Sequence, residues 1–165
     1  SDAMAPSEAG TAQLWSARAS LLLCGAWTAV WIAGGLLCCH RDAYVRRLWR
    51  SQTFNAISVL AGGRLLWNIK DWPNDLIADF TWEHQFFFAM AVGHWLVAIL
   101  EDFRSRSVLG IGLGGKRVFR QAGRDPSAHL LRAYVSHHAL TAATYVALLL
   151  LQSCGGSGAV GLLFE

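Results

Sequence analysis

Five ionisable side chains fall in or beside otherwise apolar stretches of this 165-residue sequence. His137 and His138 are adjacent, Glu101 and Asp102 are adjacent, and His94 precedes Glu101 by seven residues. A histidine titrates near neutrality and serves as a nucleophile or a general base. A carboxylate orients such an imidazole and stabilises its cation, as in acyl-transfer triads. These residues form a candidate catalytic set for acid–base chemistry.

A polar stripe continues from the histidine pair along the same predicted helix. His138, Thr141 and Tyr145 follow one another at the spacing of one helical face. Lipid offers no hydrogen bonds, so we expect this stripe to face the interior of a bundle. With His94, the side chains of Thr141 and Tyr145 are candidates for binding a lipid or substrate. The alternative is that they only hold helices together, as polar side chains often do in membranes.

The sequence does not predict a metal centre. Adjacent histidines on a helix point in different directions, which disfavours a site built from both. The four cysteines show no CxxC spacing, which makes a zinc site unlikely on composition and spacing alone. We therefore expect no metal ion.

The composition limits the class of protein that positions these residues. The chain is 54% hydrophobic and 15% charged, against about 25% charged in soluble domains. This excludes a disordered chain, and a net charge of +3 does not indicate a nucleic-acid partner. A multi-span membrane protein is favoured over a soluble helical bundle, because the first and fourth apolar stretches contain no charged side chain that could form the solvent-facing side of a globular helix.

Four apolar stretches predict four membrane spans. About 20 apolar residues cross the roughly 30 Å hydrocarbon core, and the stretches cover residues 19–39, 51–68, 80–100 and 133–153. Residues 156–165 look like the start of a fifth span. The sequence therefore predicts an all-α, multi-span transmembrane helix bundle of four spans plus the start of a fifth. Residues 1–18 would be an N-terminal tail, and residues 19–165 one partial transmembrane domain.

The charges of the connecting segments predict the orientation. Lys and Arg number four in residues 40–50, one in residues 70–79 and seven in residues 101–132. Under the positive-inside rule, the first and third segments face the cytosol. That topology brings the histidine pair and the two acids to the cytosolic leaflet, with His94 deeper in the membrane.

Three segments resemble TLC-domain membrane proteins, the family named for TRAM, Lag1 and CLN8. Ser136–Tyr145, SHHALTAATY, resembles the family's His-His-x-x-Thr segment. Gly93–Asp102, GHWLVAILED, is similar to the family's Gly-aromatic run followed by acids. Gly158–Glu165, GAVGLLFE, resembles a later Gly-Leu-x-x-Glu mark. The resemblance covers roughly residues 49–165.

The resemblance implies an integral, multi-pass protein of the endoplasmic reticulum or a related endomembrane, concerned with lipids. The best-known enzymes of the family, the ceramide synthases of sphingolipid metabolism, join an acyl group from acyl-CoA to a sphingoid base. Carried over, His137 and His138 would be the catalytic pair and Thr141 the threonine that follows it. Membrane lipids are then the expected partners, and we also allow for a homo-oligomer.

Two departures from the family pattern change the favoured function. The usual Tyr and Asp of the Gly-aromatic run are His94 and Ala98 here, and the acidic stretch that follows the His-His helix in the synthases is absent. The pattern is more similar to non-synthase members. We therefore expect a role in lipid metabolism or membrane lipid homeostasis, by lipid binding or sensing and without a cofactor. The alternative is a ceramide-synthase-like acyltransferase with acyl-CoA as co-substrate.

Overall fold

The part of the chain that the structure describes forms five α-helices of at least 10 residues. A computed structural model describes residues 15–39, 43–71, 74, 77, 80–109 and 128–164. The helices are α1 (Ala17–Cys39), α2 (Ala43–Trp67), α3 (Trp82–Leu109), α4 (Ala128–Leu151) and α5 (Gly155–Phe164). No strand occurs in these described ranges, and the predicted all-α class is confirmed.

Short polar residues define where α1 and α3 begin. The hydroxyl of Ser16 accepts a hydrogen bond of 3.2 Å from the backbone N–H of Ala19. At α3, the backbone N–H of Thr81 donates to Nδ1 of His84 at 3.0 Å, and the N–H of Gln85 donates to the carbonyl of Thr81. Such caps satisfy N–H groups that have no partner inside the helix.

The connection from α4 to α5 contains two residues whose backbone lies in the left-handed region of φ/ψ space. Gln152 has φ 49° and Cys154 has φ 58°, a conformation that side chains other than glycine rarely adopt. Two contacts stabilise it: the Gln152 amide donates to the carbonyl of Trp15 at 2.8 Å, and the Cys154 N–H donates to the carbonyl of Ile77 at 2.8 Å. The turn sends α5 back along the bundle.

Helix α3 is the central element of the bundle. It packs along α1 on one side and along α4 on the other, while α2 packs against α1, α3 and α5. The fully buried core includes Phe54, Phe88, Met90, Leu149 and Leu162. Because α3 has a neighbour on each side, its side chains are the ones that α2 and α4 can both reach.

The helices extend beyond the predicted apolar stretches. Residues 43–50, which the sequence assigns to a connecting segment, are the first two turns of α2, and α3 continues through residues 101–109. Arginine and leucine are good helix formers and no proline interrupts either stretch. Arg47 and Arg50 are therefore held on a helix beside α3.

One helical segment among the described residues, Ala17–Cys38, is long and apolar enough to cross a membrane. Val135–Leu151 and Gly155–Phe164 are apolar but shorter. Core helices of soluble proteins and signal sequences meet the same criterion, so one such helix is weak support for membrane association. The four-span arrangement stays a prediction.

Candidate functional site

A buried carboxylate, Asp102, connects three helices at one end of the bundle. The side chain is 1% exposed. Its Oδ1 accepts a hydrogen bond of 2.7 Å from Arg47 of α2. Its Oδ2 lies 2.9 Å from Nδ1 of His138 on α4. Asp102 itself lies on α3, so one carboxyl group links α2, α3 and α4.

The surroundings of Asp102 keep it ionised. Burial alone would raise the pKa of its carboxyl, but the hydrogen bond to His138 and the positive charge of Arg47 outweigh burial and hold the pKa below its ordinary value of 3.8. An ionised carboxylate accepts hydrogen bonds only. His138 therefore carries its proton on Nδ1, and in the neutral ring the basic lone pair is on Nε2.

A second ion pair lies beside the first. Arg50 of α2 contacts Glu101 of α3 at 2.7 Å. Arg50 is 3% exposed, and burial lowers the pKa of its guanidinium, an effect that Glu101 opposes. The two acids of α3 thus pair with two arginines one turn apart on α2. The predicted meeting of both acids with the histidine pair holds for Asp102 only, because Glu101 is turned towards Arg50.

The two histidines of the pair have different environments. His138 is buried and stacks on Trp95 with ring centroids 4.9 Å apart. His137 is exposed and meets the same indole edge-on at 5.7 Å. The difference follows from the helix, which rotates neighbouring residues apart. Of the pair, only His138 is seen bonded to Asp102.

His94 faces α2 rather than the Asp102–His138 pair. Its ring stacks on Phe54 at 3.8 Å and meets Trp31 edge-on at 5.4 Å. It is 2% exposed, and its Nδ1 has no hydrogen-bond partner. His94 and Glu101 share a face of α3, as their spacing predicts, and that face is turned to α2.

The polar stripe of α4 faces inward, as predicted. His138 and Tyr145 are buried and Thr141 is half-buried. The Tyr145 ring lies 5.2 Å from that of Phe88 on α3. Tyr145 therefore belongs to the packed core, about two helical turns from the charged pair. Glu165, which the resemblance includes, lies outside the described residues.

Three residues of this site are not predicted by the sequence patterns. Arg47 and Arg50 count only as charges of a connecting segment in the sequence, and Trp95 is not among the candidate site residues. The sequence contains a signal for the arginines: they are predicted at the same leaflet as Glu101 and Asp102, and buried charges need partners of opposite charge. No sequence signal identifies Trp95 as the ring that contacts both His137 and His138.

The arrangement suits a proton transfer or a hydrogen bond to a polar ligand. With Nδ1 held by Asp102, Nε2 of His138 is the nitrogen that can accept a proton or a hydroxyl hydrogen. No three His, Cys, Asp or Glu residues in the described ranges are placed to hold a metal ion.

Comparison with protein-family models, with curated proteins and with solved structures gives no match to this chain. The likeness to TLC-domain proteins therefore depends on the three motifs alone.

Proposed function

We propose that this chain is a multi-span integral membrane protein that binds lipids and serves membrane lipid homeostasis. The proposal that the chain spans a membrane is supported by the positions of its charged residues, which lie in two separate layers. On α2, no charged residue lies between Arg50 and Arg64, which are about 21 Å apart along the helix. On α3, none lies between Glu83 and Glu101, about 27 Å apart.

The charges at both layers are paired. Arg64 contacts Glu83 at 2.6 Å in one layer, and Arg50 contacts Glu101 at 2.7 Å in the other. The separation on α3 is close to the roughly 30 Å of a hydrocarbon core, and the separation on α2 is about two thirds of it. A charged layer at each face, with none between, is the arrangement expected of helices that cross a bilayer.

The distribution of polarity between the layers supports the same proposal. Polar side chains such as Gln85, His94 and Ser58 are buried inside the bundle. Large apolar side chains are instead exposed on the outside: Leu22, Leu37, Leu60, Leu140 and Leu151 are each at least 68% exposed. Apolar surface of this kind marks contact with a membrane or a partner.

The lipid part of the proposal is supported by the site and by the resemblance. The Asp102–His138 pair lies in the charged layer that the positive-inside rule assigns to the cytosol. Lipid headgroups occupy that depth. The motifs that resemble the TLC domain contain both residues, which favours the endoplasmic reticulum or a related endomembrane as the location.

One observation favours a second candidate function, acyl transfer from acyl-CoA to a lipid amine. The 2.9 Å contact between Asp102 and Nδ1 of His138 is the base-and-orienter geometry of acyl-transfer sites. In that reaction His138 would take the proton of the attacking amine while the thiolate of coenzyme A leaves. Asp102 would act as a positioning residue.

A labelling experiment tests the topology. With Cys24, Cys38, Cys39 and Cys154 replaced by serine, single cysteines at Lys70 and Arg120 should react with a membrane-impermeant maleimide from opposite sides of a sealed vesicle. A third single cysteine at Ser153 should react from the same side as Lys70. Labelling of Lys70→Cys and Arg120→Cys from one side would contradict four spans.

A lipid-extraction assay separates the two candidate functions. We expect the purified chain to retain lipid and not to consume acyl-CoA, and His138→Ala to retain several-fold less lipid. His137→Ala is the matched control, because that exposed side chain is not seen bonded to Asp102. Consumption of acyl-CoA that His138→Ala abolishes at unchanged abundance would establish acyl transfer instead. Absence of retained lipid and of turnover would refute both functions.

A further inference from the structure

The carboxamide of Gln85 on α3 holds the backbone of the residues that lead into α1. Gln85 is fully buried. Its Oε1 accepts a hydrogen bond of 2.7 Å from the backbone N–H of Trp15, and its Nε2 donates one of 2.9 Å to the carbonyl of the same residue. Neighbouring antiparallel strands exchange pairs of hydrogen bonds in the same way. Gln85 therefore recognises the peptide backbone of Trp15 and not its indole ring.

The same carbonyl connects this segment to the turn before α5. The carbonyl oxygen of Trp15 accepts a second hydrogen bond, of 2.8 Å, from Nε2 of Gln152, since a carbonyl oxygen has two lone pairs. Gln152 and Cys154 are the two residues of the turn with positive φ. Such a backbone persists where its surroundings hold it. The bond to Trp15 is one of two contacts that do so here, together with the bond from Cys154 to Ile77.

Helix α5 depends on this turn for its position. Four of its ten residues are glycine, and a short, glycine-rich helix is only marginally stable by itself. It is placed by a close fit against Gly62 of α2, Phe88 of α3 and Leu148 of α4. A Cβ at Gly62 would lie 2.9 Å from the carbonyl oxygen of Ala159. A fit this close tolerates little change in the angle at which the turn delivers α5.

We propose that Trp15 and Ser16 form a strap that closes one end of the bundle and holds α5 in place through Gln85 and Gln152. Release of the strap frees the turn, and α5 then leaves its position against α2, α3 and α4. The segment that precedes α1 thereby controls access to the part of the core that α5 covers. This inference goes beyond the proposed function and does not depend on lipid binding.

The test measures the position of α5 with two spin labels on the full chain in nanodiscs. The four natural cysteines are replaced by serine, and the labels are attached to Leu37→Cys on α1 and Phe164→Cys on α5. Both side chains are exposed, and α1 and α5 do not contact each other among the described residues. Double electron–electron resonance should give one narrow distance for the parent chain. A control pair, Leu37→Cys with Leu140→Cys on α4, should keep one distance in every variant.

Two matched pairs of substitutions release the strap or leave it closed. Trp15→Pro and Trp15→Ala both lose the indole, but only proline lacks the N–H that Gln85 accepts. Trp15→Pro should raise the population of a second, broader distance to α5 about five- to thirtyfold, and Trp15→Ala should match the parent. Gln85→Leu removes both bonds to the strap and should act as Trp15→Pro does. Gln52→Leu, at an exposed glutamine of α2, is its control and should match the parent.

The inference is overturned if Trp15→Pro and Gln85→Leu both keep the single distance of the parent chain. It is also overturned if Trp15→Ala displaces α5 as far as Trp15→Pro does, because the ring and not the backbone would then hold the strap. Gln85 is buried, so Gln85→Leu is the variant most exposed to failure of folding. The comparison of Trp15→Pro with Trp15→Ala decides the matter without it.

Discussion

Replacement of Asp102 by asparagine should lower the stability of the bundle by about 3 kcal/mol, the cost of breaking a buried ion pair. The carboxylate is 1% exposed and binds both Arg47 and His138. Asparagine is similar in shape but carries no charge, so Arg47 loses its counter-charge. The amide also has one acceptor oxygen where the carboxylate has two. The asparagine therefore cannot accept hydrogen bonds from Arg47 and His138 as the carboxylate does.

The loss should appear as a fall of about 6–12 °C in the melting temperature of the chain in detergent micelles. Asp71→Asn is the control, because Asp71 is exposed and its bond to Asn74 is at the surface. That variant should melt within a degree or two of the parent. If Asp102→Asn melts as high as Asp71→Asn, the carboxylate does not hold the three helices together.

The same residue predicts a dependence on pH. The pKa of Asp102 in the folded chain is below its ordinary value of 3.8, so its stabilising effect is fully present above about pH 4 and is lost as the pH falls through the folded pKa. Melting temperatures measured from pH 7 to pH 3 should therefore begin to draw together for the parent and Asp102→Asn below about pH 4. Parallel curves would contradict this assignment.

The sequence predicts that an acid of α3 meets a histidine of α4. Hydropathy places one helix before each charged segment, and the positive-inside rule places Asp102 and His138 at the same end. The sequence does not show which of the two adjacent acids, Glu101 or Asp102, contacts the histidine. One step along a helix rotates a side chain by about 100°, so Glu101 and Asp102 face different neighbours. That rotation depends on how α3 packs, which a single sequence does not show.

The partners of the two acids were also beyond the sequence. Arg47 and Arg50 follow an apolar stretch, so the positive-inside rule counts them as charges of a cytosolic segment. The rule does not depend on whether these residues are helical. In the structure they form the first turns of α2. A connecting segment and the start of a helix have the same composition here, so only the continuation of backbone hydrogen bonds separates the two.

Substitution of Gly93 by alanine should destabilise the packing of α1 on α3. A Cβ at this position would lie 2.8 Å from the backbone N of Thr28, 2.8 Å from Cβ of Trp27 and 2.9 Å from its carbonyl carbon. Backbone atoms cannot rotate away, so α1 must shift. Overpacking of this kind costs about 1–3 kcal/mol. The shift would also weaken the hydrogen bond of 3.2 Å from the Trp31 indole to the carbonyl of Met90.

The sign of the effect distinguishes a packing role from a helix-propensity effect. Gly25 and Gly63 lie in helices too, but a Cβ at either position would meet nothing within 4 Å. Alanine there should raise stability by about 0.5–1 kcal/mol, because glycine is the poorer helix former. We therefore expect Gly93→Ala to melt below the parent chain in micelles, and Gly25→Ala and Gly63→Ala to melt above it. A higher melting temperature for Gly93→Ala would mean that α1 does not approach α3 this closely, and the rotation of α3 that turns Asp102 towards His138 would lose its support.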